Sequence, residues 1–341
     1  MLSSRKLDHL RICLQEDVRP PRPGTGLDRY RFVHQALPEL DMSQIDLRTR
    51  FLGKALRSPL LVSAMTGGAD AGQPINRHLA EAAAVMGIGM SVGSQRVALE
   101  EPSWTSSFAV RDVAPDILLL ANLGAAQLAA GYTVEHCQKA VDMIQADGLV
   151  LHLNPLQEAL QPHGDSRFAG LLRRIEQVCR ALPVPVVVKE VGYGLSEQAA
   201  QQLAKAGVSA LDTAGAGGTS WSQVERHRMS DPVSMRVAGE FIDWGIPTAD
   251  SIRMVRKAAP GLPLIASGGL VSGIDVAKCI ALGADVAGLA WPLLRPALLS
   301  SQAVVDELRA IVQTLRVAMF CIGVPTIGAL QETDCLQEVR A

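Results

Sequence analysis

The chain has 341 residues, a formal net charge of −2, 48% hydrophobic and 19% charged residues, and only 4% aromatics. This near-neutral balance supplies no broad basic field, which argues against nucleic acid as a partner. Length and apolar content suffice for two average domains or one large α/β barrel, and the 30 glycines suit a buried parallel sheet joined by tight turns.

Residues 1–57 precede the first strand pattern. Their first ten positions carry Arg5, Lys6, Asp8 and His9 where a secretory leader needs an apolar run. The chain also has no uninterrupted run of about 20 apolar residues, so a cytoplasmic protein without membrane spans is expected. Eight short apolar runs then recur, at 59–65, 87–92, 117–123, 148–153, 185–191, 210–214, 263–266 and 285–290. Helix-like stretches separate them, such as 196–206, opened by a capping serine and closed by Gly207. The last helix shows Val304, Leu308, Ile311 and Leu315 at helical spacing.

This alternation predicts an α/β fold of the (β/α)8 TIM-barrel type, with an N-terminal extension (1–57), a barrel (58–341) and a long loop after strand 6. A doubly wound sheet fits less well, because the first run ends Ala64-Met65-Thr66-Gly67-Gly68 and lacks G-x-G-x-x-G. Residues 216–245 exceed what a connection needs and open with Gly217-Gly218-Thr219-Ser220-Trp221, so a lid loop over the active face is expected. No repeat beyond the βα unit is visible. The six cysteines (Cys13, Cys137, Cys179, Cys279, Cys321, Cys335) lack any C-x-x-C pair and read as reduced thiols.

Barrel enzymes carry their chemistry at the carboxyl ends of the strands. Here those ends present Met65-Thr66-Gly67, Ser94-Gln95-Arg96, Asn122, His152 with Asn154, Lys189, Thr213 with Gly217-Gly218-Thr219, Ser267-Gly268-Gly269, and Ala290-Trp291. In a strand, His152 and Asn154 share a face while Leu151 and Leu153 pack the other, and Pro155 then breaks the ladder. Gln157 and Glu158 follow, a set suited to positioning a substrate or a hard cation; a plain polar turn with a helix-starting glutamate is the alternative. Gly268-Gly269, Ser272-Gly273 and Gly288 end strands seven and eight, where bare backbone binds phosphate in such barrels. Lys189 terminates a buried run and suits a Schiff base, a point charge against a flavin, or an ion pair with Glu190. His34, His78, His136, His163 and His227 have no mutual metal-like spacing and receive no role.

Arg5-Lys6-x-x-His9, Ala64-Met65-Thr66-Gly67-Gly68, Ser94-Gln95-Arg96, His152-x-Asn154-x-x-Gln157-Glu158, Lys189-Glu190-Val191-Gly192, Gly217-Gly218-Thr219-Ser220-Trp221 and Ser267-Gly268-Gly269 together resemble the type 2 isopentenyl-diphosphate isomerases. The likeness spans nearly the whole chain. It implies an enzyme that interconverts isopentenyl and dimethylallyl diphosphate with reduced FMN, Mg2+ and NADPH, and that assembles as a homotetramer or homo-octamer, for which 317–322 offers an apolar stretch. Carried over residue by residue, Ala64, Met65, Thr66, Ser94, Asn122, Lys189, Thr219, Gly268, Gly269, Leu270, Ala290 and Trp291 would hold FMN. Arg5, Lys6, His9, Ser94, Gln95, Arg96 and Gln157 would bind substrate, His152, Asn154 and Gln157 would be catalytic, and Glu158 would hold the metal.

One position departs from the family pattern. Ala214 stands where the family often has serine, so a flavin grip weaker by about 1 kcal/mol is expected unless Thr213 or water substitutes. Two rival readings are an FMN-dependent 2-hydroxy-acid oxidase and a non-catalytic flavin- or phosphate-binding barrel. The first needs a His-Gly-Gly-x-Arg arrangement after strand six that this chain lacks.

Overall fold

A computed structural model of the chain describes residues 2–20 and 24–339, with side chains from Lys6 onward in the first segment. Eight parallel strands close into a barrel in sequence order. They are β1 (Leu60–Val62), β2 (Gly89–Ser91), β3 (Leu119–Gly124), β4 (Gly148–His152), β5 (Val186–Lys189), β6 (Ala210–Asp212), β7 (Leu264–Ser267) and β8 (Val286–Leu289). All lie within the runs read from the sequence or a residue beyond them. Nearly every strand residue is buried, because the strands face side chains within the ring and helices outside it.

The register levels the rim. Gly124 pairs with His152, His152 with Lys189, and Lys189 with Asp212, so the strand ends chosen from sequence stand side by side. The 196–206 helix spans Glu197–Lys205, with the Ser196 hydroxyl accepting from the Ala199 N–H at 3.2 Å.

Six helices matter for the site or its support: α1 (Leu2–Gln15), α2 (Pro155–Leu160), α3 (Trp221–Arg226), α4 (Pro232–Gly239), α5 (Gly273–Ala281) and α6 (Ser301–Cys321). In α6, Val304, Leu308, Ile311 and Leu315 are buried, as their spacing requires. The long connection expected as a loop instead contains α3 and α4. Pro232 at the first turn of α4 and the Asp231 carboxylate capping Ser234 start a helix where composition suggested irregular chain.

The amino end of the barrel is stoppered by a hairpin, Thr49–Phe51 with Lys54–Leu56, that the sequence reading passed over. Leu52 and Gly53 both take positive φ at the turn, and Phe51 and Leu56 pack onto Leu61, Leu118, Leu120 and Val150 inside the ring. Near the other edge, Tyr30–Phe32 pairs antiparallel with Leu336–Glu338.

A repeat does emerge. Arg111 opens Arg-x-x-Ala-Pro before β3, and Arg256 opens the same pattern before β7. Arg111 donates to the carbonyls of Pro115, Ile117 and Gln145 and to Asp147, whose carboxylate accepts the Leu119 N–H at 2.9 Å. Arg256 donates to Pro260, Leu262, Gly283 and Asp285, whose carboxylate accepts the Leu264 N–H at 2.7 Å. The same clamp therefore holds β3 to β4 and β7 to β8, half a turn apart.

Among the described residues no helix is long and apolar enough to cross a membrane. The clamps stand at the end opposite the polar rim. Arg256→Ala should therefore cost about 2 kcal/mol in chemical denaturation while leaving ligand binding at the rim intact; parent-like stability would show that the carbonyls find other partners.

Candidate active site

A cavity of about 420 Å³ opens at the carboxyl rim, inside the range of small-molecule sites. From the strand ends it is lined by Ala64, Met65, Thr66, Ser94, Asn122, His152, Lys189, Gly268, Gly269, Leu270, Ala290 and Trp291. Arg96, Asn154, Gln157, Glu158 and Thr219 come from loops and short helices, and Lys6 and His9 from α1. Two residues expected at the site are not in this lining. The Arg5 side chain lies outside the described residues, and Gln95 is not in the lining. Its fully buried amide donates to the Ala140 carbonyl at 2.8 Å and accepts the Asn122 N–H at 2.9 Å, so it serves the barrel wall rather than substrate.

His152 is held by Asn122, with Nδ1 2.8 Å from Oδ1. An amide oxygen accepts only, so this nitrogen carries the proton. Burial, and after it the charges of Lys189 and Lys6, push the imidazole down to about 3. The imidazole is thus held in its neutral form, donating through Nδ1.

Lys189 donates to the Glu190 carbonyl. The ion pair considered from sequence gives way because the Glu190 carboxylate accepts the N–H groups of Val191, Gly192 and Tyr193 at 2.6, 2.7 and 2.5 Å. Burial outweighs those bonds and lifts the Glu190 carboxyl to about 7. Lys189 is left as a buried cation at the cavity wall.

The α2 residues form a directed chain. Asn154 Nδ2 donates to Gln157 Oε1 at 3.2 Å and to Glu158 Oε1 at 3.0 Å, and Gln157 Nε2 donates to Glu225 Oε1 at 3.1 Å. A carboxylate only accepts, so Gln157 is locked with its NH2 toward Glu225 and its oxygen toward Asn154. Glu158 is further fixed by Gln161 at 2.5 Å and the Asp165 N–H at 2.7 Å.

Glu225 was not singled out from the sequence. Its side chain is 0% exposed, yet it binds His9 Nε2 at 3.0 Å and Arg228 at 2.7 Å besides Gln157. Burial opposes its charge, but the His9 hydrogen bond and charge, with Gln157 and Arg228, hold the carboxyl down to about 2. Trp221 lies one helical turn earlier on α3, and its ring meets that of His9 edge-on, with centroids 5.1 Å apart. Had the connection been recognised as helical, the i, i+4 spacing of Trp221 and Glu225 would have marked this face.

Lys6 reaches over the rim to the Ser94 carbonyl at 2.8 Å and sits 5.1 Å from the Phe108 ring centroid. Gly67 (φ 142°) and Gly68 (φ 75°) permit this approach, since a Cβ there would meet Phe108 at 2.1 Å and Val97 at 2.0 Å. Two cavity-lining atoms, Ser63 Oγ and Asn154 Oδ1, are buried without a hydrogen-bond partner. Such atoms await a polar ligand.

The barrel and its glycine-rich, lysine-bearing rim define a flavin enzyme of the FMN-dependent class, and a family model for FMN-dependent dehydrogenase matches residues 124–338. Among solved structures, a flavocytochrome b2 double mutant with pyruvate bound aligns at TM-score 0.69 and 17% identity, over 96% of this chain and 82% of that one. A mandelate oxidase mutant with a monooxide FMN adduct aligns at TM-score 0.65 and 17% identity, over 97% and 91%. At that identity they establish the fold alone. The isopentenyl-diphosphate delta-isomerase of Nostoc sp. (strain PCC 7120) is 50% identical over 337 residues, covering 99% of this chain and 96% of the relative. That of Stutzerimonas stutzeri (strain A1501) is 51% identical over 339 residues, covering 98% and 97%. The chain belongs to the isopentenyl-diphosphate delta-isomerase family.

One spectroscopic consequence follows from His152. Its nitrogen resonances should show no titration between about pH 5 and pH 8. Because its native pKa lies near 3, below the ordinary 6.5, the unfolded chain takes up the proton first, and stability falls as pH drops from 6.5 toward 3. A His152 midpoint near neutrality would contradict this environment.

Proposed function

We propose that the protein converts isopentenyl diphosphate to dimethylallyl diphosphate, with FMN in the barrel mouth and the diphosphate gripped beneath α1. The observation that carries this reading is the tie from Asn154 through Gln157 to Glu225 and His9, which closes the N-terminal helix over the cavity beside Lys189.

The residues present fit a flavin mononucleotide. Gly268 (φ 109°) and Gly269 (φ 75°) turn the chain after β7 toward α5, where a Cβ would meet Gly215 at 2.2 Å and Gly217 at 2.6 Å, so bare backbone borders the place for a phosphate. Lys189 would place positive charge against the electron-rich edge of the ring system, and the unpartnered Ser63 hydroxyl and the Thr66, Ser94 and Asn122 side chains offer it hydrogen bonds. When bound in reduced form, FMN supplies an electron-rich surface and proton-carrying capacity for an unactivated alkene.

Mg2+ fits Glu158. Among the described residues no group of three or more His, Cys, Asp or Glu is arranged to hold a metal. A magnesium ion bound by one carboxylate with phosphate oxygens and water is nevertheless ordinary, and the oxygens of Glu158 retain lone pairs beyond their present bonds. Lys6 and Arg96 supply cations, and His9 a hydrogen-bonding imidazole, for the remaining diphosphate charge. NADPH as the reductant, and assembly into a tetramer or octamer, belong to the same reading; Val317, 40% exposed on α6, leaves an apolar point for self-association.

Proton movement at a weakly basic alkene builds positive charge on carbon. A carboxylate near pKa 2 is a poor proton shuttle at neutral pH but a dependable fixed anion, so Glu225 stabilises that charge electrostatically and orients Gln157. Leu10, Met65, Trp221, Leu270 and Leu294 line apolar wall that suits a five-carbon chain and keeps water out.

The purified protein should be yellow, bleach with NADPH anaerobically, and only then interconvert the two diphosphates by proton NMR with Mg2+ present. A protein that cannot be loaded with FMN, or is inert once bleached, overturns the reading. Gln157→Ala and Glu225→Gln should each lower kcat about 100-fold with FMN affinity retained.

Ala214 provides a separate check. It is buried at φ 36°, lines the cavity, and Thr213 does not replace the missing hydroxyl, since its Oγ1 donates to the Ser267 carbonyl at 3.1 Å. Ala214→Ser should tighten FMN by about 1 kcal/mol in a fluorescence titration; unchanged affinity would place the flavin away from this turn.

A further inference from the structure

Beyond the residues that face the cavity, the loop after β5 connects two parts of the site. The Glu190 carboxylate gathers three successive N–H groups of its own loop, at 2.6, 2.7 and 2.5 Å, and so curls residues 191–193 into a tight turn. Val191 and Gly192 line the cavity, and a Cβ at Gly192 would approach the Thr219 carbonyl to 2.8 Å, so glycine lets the start of the lid lie against the loop.

Tyr193 then leaves the turn and runs under the lid. Its side chain is buried, and its hydroxyl accepts the N–H of Ser222 at 2.5 Å. Ser222 is in the first turn of α3, where N–H groups have no partner within the helix. The Tyr193 carbonyl accepts the Ile246 N–H at 2.8 Å, where the chain returns to the barrel. One residue thus holds both entry and exit of the 219–245 segment.

The segment is tied together internally and to α1. Gln223 donates to the Ser222 hydroxyl at 3.1 Å and to the Ala238 carbonyl at 3.0 Å, joining α3 to α4. On its other side α3 packs Val224 and Trp221 against Ile12, Cys13 and Val18, which joins it to α1.

We propose that Tyr193 is a positioning residue for the reaction: its hydroxyl is the peg that hangs the two lid helices from the barrel and sets where Trp221 stands at the cavity and where Glu225 meets Gln157 and His9. This rests on the isomerase reading above for its kinetic test, but the geometry can be probed without it. Substitution by phenylalanine keeps the ring in place and leaves the Ser222 N–H buried without an acceptor.

In Tyr193→Phe, kcat/KM for isopentenyl diphosphate should fall about tenfold while the FMN dissociation constant stays within roughly twofold of the parent. Maleimide labelling of Cys13, followed by peptide mass spectrometry, should speed up severalfold, because the cluster burying that thiol loosens. A variant with parent kcat/KM and parent Cys13 labelling overturns the proposal, as does FMN affinity falling in step with kcat/KM, which would mark general damage to the barrel. Should the parent itself lack isomerase activity, the functional reading fails, and Cys13 labelling alone still decides whether the peg exists.

Discussion

A carboxylate removed entirely from water must be surrounded by donors, and Glu225 is met by three from three parts of the chain. His9 comes from the N-terminal helix, Gln157 from the helix after β4, and Arg228 from the turn just beyond α3, with Arg228 also 3.6 Å from Asp8. Segments more than two hundred residues apart are obliged to meet at one buried charge. The roof of the cavity is consequently built by satisfying this group, and the groups suited to diphosphate and alkene are placed as a result.

The eight strands were legible because each is a short apolar run, six of them opened by proline, glycine or alanine, with helix-like stretches between them. The rim residues were legible because a polar side chain at or near the end of a buried strand needs a purpose: Lys189 and His152 end their strands, Asn122 lies two residues before the end of β3, and all three face the cavity. What escaped depended on pairing. Leu52-Gly53 carries no Asn-Gly signature, so the hairpin that stoppers the barrel read as extension. Gln95 sits between two cavity-facing neighbours, and only the position of β3 turns its amide into the wall. Glu225 looked like one more charge in a polar stretch until a helix brought it under His9.

The likeness to flavocytochrome b2 and mandelate oxidase covers nearly all of this chain at 17% identity, so what is shared is the ring of strands, and function has to be argued from the site built on it. Barrel strands bring the lysine and the glycine turns to the cavity, whereas the N-terminal helix brings Lys6 and His9, the turn after β4 brings Gln157 and Glu158, and the paired helices after β6 bring Trp221. These covering elements are fastened to the frame that the eight strands build.

The two arginine clamps have a geometric consequence. They join β3 to β4 and β7 to β8, which divides the ring into two equivalent quartets of strands. One junction between quartets falls between β8 and β1. The stretch between α2 and the helix Leu171–Ala181 lies at the other. A circularly permuted chain opened there would sever neither arginine knot, so the ring has a seam diametrically across from the junction of β8 with β1.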